Sequence, residues 1–169
     1  RDFWILKLDS SGNLIWTKTF GGINYDEARS IQQTFDGGYI VSGYTESFGA
    51  GGADIWVIKL DNSGNQIWAK TFGGSGDEGT HPDISVQNFD GGYIIAGGTN
   101  SLGAGGYDFW ILKLDNDGNQ IYSKTFGGSG DDMACSIQQT IDGGYIVAGH
   151  TESYGAGGYD FWILKLDSN

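Results

Sequence analysis

The sequence predicts an all-β fold built from repeated antiparallel sheets, and three observations lead to this prediction. The stretch Asp-Phe-Trp-Ile-Leu-Lys-Leu-Asp begins at Asp2 and returns, with small changes, at Asp54, Asp108 and Asp160. The 31 glycines recur at fixed places between apolar runs, where they indicate turns and close approaches of the backbone. The apolar residues nowhere follow helical spacing, and β-branched and aromatic side chains are enriched among them.

Each repeat predicts four strands. Residues 3–6 are apolar on both faces of an extended strand, which is typical of a strand covered on both sides. Residues 14–20 alternate with the period of two that indicates a half-covered strand. Two further strands are predicted at residues 30–34 and 39–43, and a glycine-rich loop over residues 45–53 leads back to the repeated motif.

The repeat predicts one domain over residues 1–169, with copies that start at positions 2, 54 and 108 and a partial copy at 160. A four-stranded sheet with two apolar faces cannot stand alone, and stacking such sheets around an axis gives a β-propeller. The predicted fold class is therefore a β-propeller of four-stranded antiparallel blades, with three repeats of 52 to 54 residues plus one extra strand. The second copy carries a two-residue insertion around residues 80–83.

Three motifs follow one another in the part of the repeat that begins at residue 136. Residues 136–140 read Ser-Ile-Gln-Gln-Thr, residues 143–149 read Gly-Gly-Tyr-Ile-Val-Ala-Gly, and the Phe-Trp-Ile-Leu-Lys-Leu-Asp motif follows. Together they resemble a kelch-like blade, and they are also similar to the glycine-rich propeller repeats of bacterial and archaeal surface proteins. This resemblance implies an extracellular or cell-surface protein and, within each blade, the strand order inner, second, third, outer.

Three blades are too few for a ring, since propellers typically have about four to eight. The sequence therefore predicts either self-association, in which two chains close a six-bladed ring, or further blades in a longer chain. A glycan or a protein is the expected type of ligand.

Composition excludes other classes of partner. The net charge of −12 over 169 residues repels phosphate backbones, so nucleic acid is not expected as a partner. No apolar run reaches the roughly 18 residues of a membrane helix.

The single Cys135 excludes an internal disulfide framework. His81 and His150 do not recur in the other copies, and no nucleophile has a histidine partner at a matching position. We therefore expect no enzyme, but a scaffold for protein binding or self-assembly.

Acidic residues gather in the loops that join outer to inner strands. Calcium prefers six to eight oxygen ligands, and glycine loops add backbone carbonyls, so these loops are a candidate calcium site in a protein that is otherwise expected to hold no cofactor. The alternative is that the acids are solvated turn residues or accept hydrogen bonds from loop amides. The candidate metal ligands are Asp26, Glu27, Asp77, Glu78, Asp131 and Asp132.

Apolar residues at one loop position differ between the copies. Phe48, Leu102 and Tyr154 occupy this position, and loop-borne apolar residues often contact sugars or proteins. With the neighbouring Tyr107 and Tyr159 they form the candidate ligand-binding set, and a carbohydrate-binding module is the alternative function. Packing onto the neighbouring blade would also explain these residues.

Overall fold

The computed structural model describes residues 1–79 and 84–167, and it confirms the all-β prediction. The insertion predicted around residues 80–83 lies outside the described residues. The described strands are β1 Phe3–Leu8, β2 Leu14–Phe20, β3 Asp26–Gln33, β4 Tyr39–Thr45, β5 Asp54–Leu60, β6 Gln66–Phe72, β7 Ile84–Gln87, β8 Tyr93–Thr99, β9 Asp108–Leu114, β10 Gln120–Phe126, β11 Asp132–Gln139, β12 Tyr145–Thr151 and β13 Asp160–Leu166.

The strands form four antiparallel sheets in which every strand pairs with its neighbour in the chain. The first sheet is β1-β2, the second β3-β4-β5-β6, the third β7-β8-β9-β10 and the fourth β11-β12-β13. Equivalent strands keep the same register, since β4 faces β5 from Tyr39 opposite Leu60 to Thr45 opposite Asp54. Strand β3 begins four residues earlier than the predicted strand over residues 30–34, because Asp26 opens it as a buried anchor.

Three apolar clusters join each sheet to the next one. The first cluster packs Phe3 and Ile5 of β1 against Trp56 and Ile58 of β5. The second and third clusters use the same repeat positions between the second and third sheets and between the third and fourth sheets. Every internal sheet therefore has both faces covered, and β5 is buried along its whole length.

The predicted β-propeller is wrong, because the four described sheets form an open series and do not close into a ring. They contain two, four, four and three strands, and the apolar clusters join only consecutive sheets. A ring would require the outer faces of the first and fourth sheets to meet. Trp4 and Phe161 on these faces are exposed, so the faces do not meet within the chain.

The turn after the repeated motif is held by its own aspartate. In the second sheet, the backbone N–H groups of Ser63 and Asn65 both donate to Asp61 Oδ1 at 2.8 Å. Gly64 adopts φ +78°, a conformation that favours glycine. Hydrogen bonds from the backbone and side chain of Asn65 lower the pKa of Asp61. The acidic Asp-x-x-Gly-Asn segment is therefore a turn that stabilises its own hairpin.

The lysine of the repeated motif links two turns of one sheet. Lys59 is buried, and its Nζ lies 2.9 Å from a carboxylate oxygen of Asp36 in the β3–β4 turn. The equivalent pair in the fourth sheet is Lys165 with Asp142, at 2.8 Å. The motif therefore fixes the position of the turn that precedes β4 and its equivalents.

Candidate functional site

A buried carboxylate anchors the loop at the same point of each repeat. Asp26 is fully buried at the start of β3. Ser47 Oγ and the Gly22 N–H each donate to Asp26 Oδ2 at 2.8 Å, and Thr45 Oγ1 donates to Asp26 Oδ1. The carboxylate therefore ties the loop before β3 to the loop after β4.

Glu78 and Asp132 repeat this arrangement and are also fully buried. Glu78 accepts hydrogen bonds from the Gly74 N–H and from Thr99 Oγ1, both at 2.8 Å. Asp132 accepts its hydrogen bonds from Gly128, Thr151 and Ser153. Three of the six predicted metal ligands thus lie in hydrogen-bond networks that hold loops in place.

Glu78 and Asp132 each have a second buried carboxyl group beside them, that of Asp54 and that of Asp108. Asp54 Oδ2 accepts a hydrogen bond from the Ala50 N–H at 2.8 Å, whereas Asp54 Oδ1 is buried and has no hydrogen-bond partner among the described residues. Burial and then the charge of Glu78 raise the pKa of Asp54. In the next repeat, burial and the charge of Asp132 raise the pKa of Asp108. These acid pairs are sites where bound protons and stability are coupled.

The other three predicted metal ligands, Glu27, Asp77 and Asp131, lie nearer to the surface. Asp77 Oδ1 accepts a hydrogen bond from the Ala53 N–H at 3.0 Å, and Asp131 Oδ1 accepts one from the Tyr107 N–H at 2.9 Å. Among residues 1–79 and 84–167, no group of three or more His, Cys, Asp or Glu side chains is arranged to hold a metal ion. Calcium binding stays a prediction.

Two of the predicted ligand-binding residues pack on repeat tryptophans. Phe48 lies against Trp56 and Tyr154 against Trp162, in both cases with ring centroids 5.2 Å apart. Phe48 also lines an open cleft of 720 Å³ at the outer strands β2 and β6. Leu102, at the same loop position, is exposed.

The structure brings the other two candidate ligand-binding residues together. Tyr107 and Tyr159 line a pocket of 530 Å³ with Asp131, Met133 and His150, which we name the Tyr107–Tyr159 pocket. The His150 and Tyr159 rings meet edge to face, with centroids 4.8 Å apart and an angle of 89° between the ring planes. This pocket unites an acid from the predicted metal set with two residues of the predicted ligand set.

Sequence reasoning missed Met133 and His150 as members of this pocket. His150 lies on β12 at the repeat position that Tyr44 occupies on β4 and Gly98 on β8. A change of residue type at one position of a regular repeat was the available signal. Only the structure shows that this position faces Tyr159, across the β12–β13 hairpin of the fourth sheet.

The equivalent place between the first and second sheets contains two arginines. The Arg1 guanidinium lies 5.2 Å from the centroid of the Tyr25 ring, and its Nη1 lies 3.2 Å from Glu27 Oε2. Arg29 lies 5.4 Å from the Tyr44 ring, and its Nη2 lies 3.3 Å from Glu27 Oε1. Each cation therefore contacts an aromatic face and the same carboxylate.

The two ends of the sheet series expose apolar faces. We name Trp4, Leu6 and Leu8 on the first sheet the N-terminal end face. We name Ile146, Phe161 and Ile163 on the fourth sheet the C-terminal end face. All six side chains are exposed, although their equivalents on the internal sheets are buried.

The fold and these sites define an all-β repeat protein, and a matching family model also describes repeats. Residues 6–72 match the model of a family described as repeats of unknown function (DUF5649). Over 179 aligned residues the chain is 24% identical to a regulatory protein, FlaEY, of Caulobacter vibrioides. The alignment covers 90% of this chain and 18% of that protein, so the chain spans less than a fifth of the relative's length. Within the described part of the chain, no helix is long and apolar enough to cross a membrane.

Proposed function

We propose that the chain is a non-enzymatic scaffold that assembles head to tail, with the N-terminal end face of one copy packed on the C-terminal end face of another. Such a contact joins two different surfaces. It leaves one N-terminal end face and one C-terminal end face free, so further copies can be added. The assembled scaffold then presents its loops at regular intervals to a partner.

The contrast between end and internal sheets carries this proposal. Trp4 is 67% exposed, whereas Trp56 and Trp110 at the same repeat position are 6% and 3% exposed. Phe161 is 77% exposed, whereas Phe109 is fully buried. Each end face therefore repeats a surface that, elsewhere in the chain, is covered by a sheet of the same repeat. A contiguous exposed apolar surface of this kind is typical of an interaction site.

The two end faces are complementary, because the internal interfaces pair the same positions. Phe3 packs on Trp56 and Phe109 packs on Trp162, each pair with ring centroids 4.7 Å apart. Phe161 occupies the repeat position of Phe3 and Phe109, and Trp4 occupies that of Trp56 and Trp162. Neither has a partner from another sheet within the described part of the chain. A second copy supplies the missing partner to each of them.

Charge opposes this association at low ionic strength. The net charge of −12 makes two copies repel each other, and salt screens that repulsion. The contact between the end faces is apolar, so we expect added salt to strengthen the assembly.

Three finer expectations remain part of this proposal. A position outside the cell or at its surface and a kelch-like kinship rest on the glycine-rich repeat pattern alone. Protein binding along the assembled loops is a further proposal. The regulatory role in the name of the Caulobacter relative applies to that protein alone. Carbohydrate binding and stabilisation by calcium stay predictions.

Two blocked variants test the head-to-tail arrangement. Trp4→Lys blocks the N-terminal end face and leaves the C-terminal end face intact, and Phe161→Glu does the reverse. Each variant alone is expected to stay at 18.1 kDa in sedimentation velocity, while an equimolar mixture forms a complex of two chains that grows no further. Both side chains are exposed, so circular dichroism should show that both variants keep the wild-type fold.

Ile141→Glu is the matched control, because Ile141 is also fully exposed but lies in the β11–β12 turn. This variant should assemble like the wild type. The proposal fails if the two blocked variants do not form a complex in the mixture, or if wild type and both variants sediment alike. It also fails if either variant dimerises alone, since that result would indicate a contact between identical faces.

A further inference from the structure

The five residues of the Tyr107–Tyr159 pocket occupy repeat positions that, between the first and second sheets, hold Arg1, Tyr25, Glu27, Tyr44 and Ala53. In the second sheet, Glu27 and Tyr44 face each other across β3 and β4. In the fourth sheet, Met133 and His150 face each other across β11 and β12 in the same register. The two places are thus the same site of the repeat with different side chains.

At the first place the chain supplies its own cation. Arg1 lies on the Tyr25 ring and pairs with Glu27. Planar guanidinium groups and ammonium groups are attracted to the faces of aromatic rings, and a nearby carboxylate neutralises their charge. This site therefore binds a cation with one aromatic ring and one acid.

The Tyr107–Tyr159 pocket offers the same chemistry without a cation of its own. Tyr107, Tyr159 and the imidazole of His150 supply aromatic surface, and Asp131 supplies the carboxylate. Neither lysine nor arginine is among the described residues that line the pocket. Tyr107 occupies the position of Arg1, and Cys135 occupies that of Arg29.

A second carboxylate, that of Glu152, interacts with one tyrosine of the pocket. The charge of Glu152 and its hydrogen bond to the phenol raise the pKa of Tyr159, and the charge of Asp131 acts in the same direction. Two carboxylates thus act on the same tyrosine. A sugar hydroxyl can donate a hydrogen bond to a carboxylate, but only a cation is also attracted by both negative charges.

We propose that the Tyr107–Tyr159 pocket binds an organic cation, a guanidinium or alkylammonium group, between the tyrosine rings and the Asp131 carboxylate. The group can belong to a small amine or to an arginine or lysine side chain of a protein. This site is independent of the end faces, so its test does not depend on head-to-tail assembly.

Titration calorimetry with methylguanidine and with N-acetyl-lysine methylamide tests the site, using the full chain in low salt. We expect saturable binding that weakens at least about tenfold in Asp131→Asn, since hydrogen bonds to charged groups are the strong ones. Tyr159→Ala should weaken binding as well, and added salt should weaken it for the wild type.

Asp77→Asn is the matched control for Asp131→Asn. Both aspartates accept one backbone N–H, from Ala53 and from Tyr107 respectively, so the change to asparagine weakens the same kind of structural contact in both variants. Only the pocket at Asp131 has the tyrosines, and Asp77→Asn should bind the probes like the wild type. Equal weakening by the two variants would overturn the proposal.

Two further outcomes decide the matter. Absence of saturable binding by both probes, or binding of neutral methyl glycosides that Asp131→Asn does not change, would overturn the cation site. A lysine-containing peptide that binds more tightly than the single residue identifies a protein side chain as the source of the cation. Equal affinity of peptide and single residue identifies a small amine.

Discussion

Phe3 and Trp56 pack against each other across the first sheet interface, with ring centroids 4.7 Å apart and an angle of 58° between the ring planes. Phe109 and Trp162 repeat this contact at 4.7 Å and 59°. The same pair of positions thus joins sheets at both ends of the series. The contact is a structural unit of the repeat, and it identifies Phe161 and Trp4 as the positions that lack a partner within the chain.

Replacing Trp56 by alanine should lower the free energy of unfolding by about 3 to 5 kcal/mol, because its ring is buried between two sheets. The matched control is Trp4→Ala, which removes the same side chain from an exposed position and should cost less than about 1 kcal/mol. Urea unfolding followed by circular dichroism at low protein concentration measures both values. Equal losses in the two variants would contradict the assignment of internal and end faces.

Replacing Thr99 by valine should destabilise the protein by about 1 to 3 kcal/mol, because Glu78 then keeps a buried carboxylate oxygen without its donor. The size and shape of the side chain are nearly unchanged, so the loss reports on the hydrogen bond. Thr125→Val, on the partly exposed outer strand β10, serves as the control. A loss below that of the control would show that the buried network does not hold the loops.

Asp54→Asn should raise the melting temperature at pH 7, by about 2 to 4 °C. The pKa of Asp54 is raised in the folded state by burial and the charge of Glu78. The folded state therefore holds the proton more tightly than the unfolded state, and the linked stability is present at low pH and lost as pH rises through the folded pKa. Asparagine mimics the protonated form at every pH.

The advantage of Asp54→Asn should shrink as pH is lowered from 7, because the raised pKa lets the wild-type carboxyl take up its proton at a higher pH than an ordinary aspartate. Asp160→Asn, the equivalent change on the partly exposed β13, is the control for replacing an aspartate by asparagine at this repeat position. Melting curves at a series of pH values from 7 downwards show whether the difference between Asp54→Asn and wild type shrinks or stays constant. A constant difference between Asp54→Asn and wild type would contradict the coupling.

Asp36 should act in the opposite direction and at lower pH. Its hydrogen bond from Thr34 and its contact with Lys59 lower the pKa of Asp36 to about 2. Its contribution to stability is therefore present above the unfolded pKa and is lost as pH falls through the folded value of about 2. Asp36→Asn should make the loss of stability below pH 4 shallower, as measured by acid unfolding, and an unchanged acid transition would contradict this.

The melting temperature tests the calcium site predicted from the sequence, because a ligand stabilises a protein only when it binds the folded state. Asp26, Glu78 and Asp132 already accept hydrogen bonds from hydroxyl and amide groups. Melting curves in millimolar calcium and in EDTA make the comparison. A higher melting temperature in calcium would support the metal site predicted from the sequence.

The sequence predicts the strands well, because its period places the same side chains at the same positions. Strand β2 has the bounds that the alternation over residues 14–20 predicts. The start of β3 was missed because Asp26 is polar, and polar residues in a glycine-rich segment indicate a loop. Only the buried hydrogen bonds of Asp26 explain why the strand begins there.

The arrangement of sheets and sites depends on contacts between repeats, which a pattern along one strand does not contain. The period could not show whether Trp4 meets another sheet, so the predicted ring was wrong. The sequence names Tyr107 and Tyr159 as neighbours of the variable loop position, whereas Tyr107 meets Met133 and His150 only through the packing of the third sheet on the fourth. Phe48 likewise lies at its predicted loop position, and only the structure shows its contact with Trp56.

The most direct test of head-to-tail assembly is the mass of the wild-type chain by light scattering, measured over a range of concentrations and in increasing salt. We predict a mass that rises from 18.1 kDa to at least twice that value with concentration, and that rises further with salt. Phe161→Glu should stay at the mass of one chain under the same conditions. A wild-type mass of 18.1 kDa at every concentration and salt would contradict the proposed scaffold.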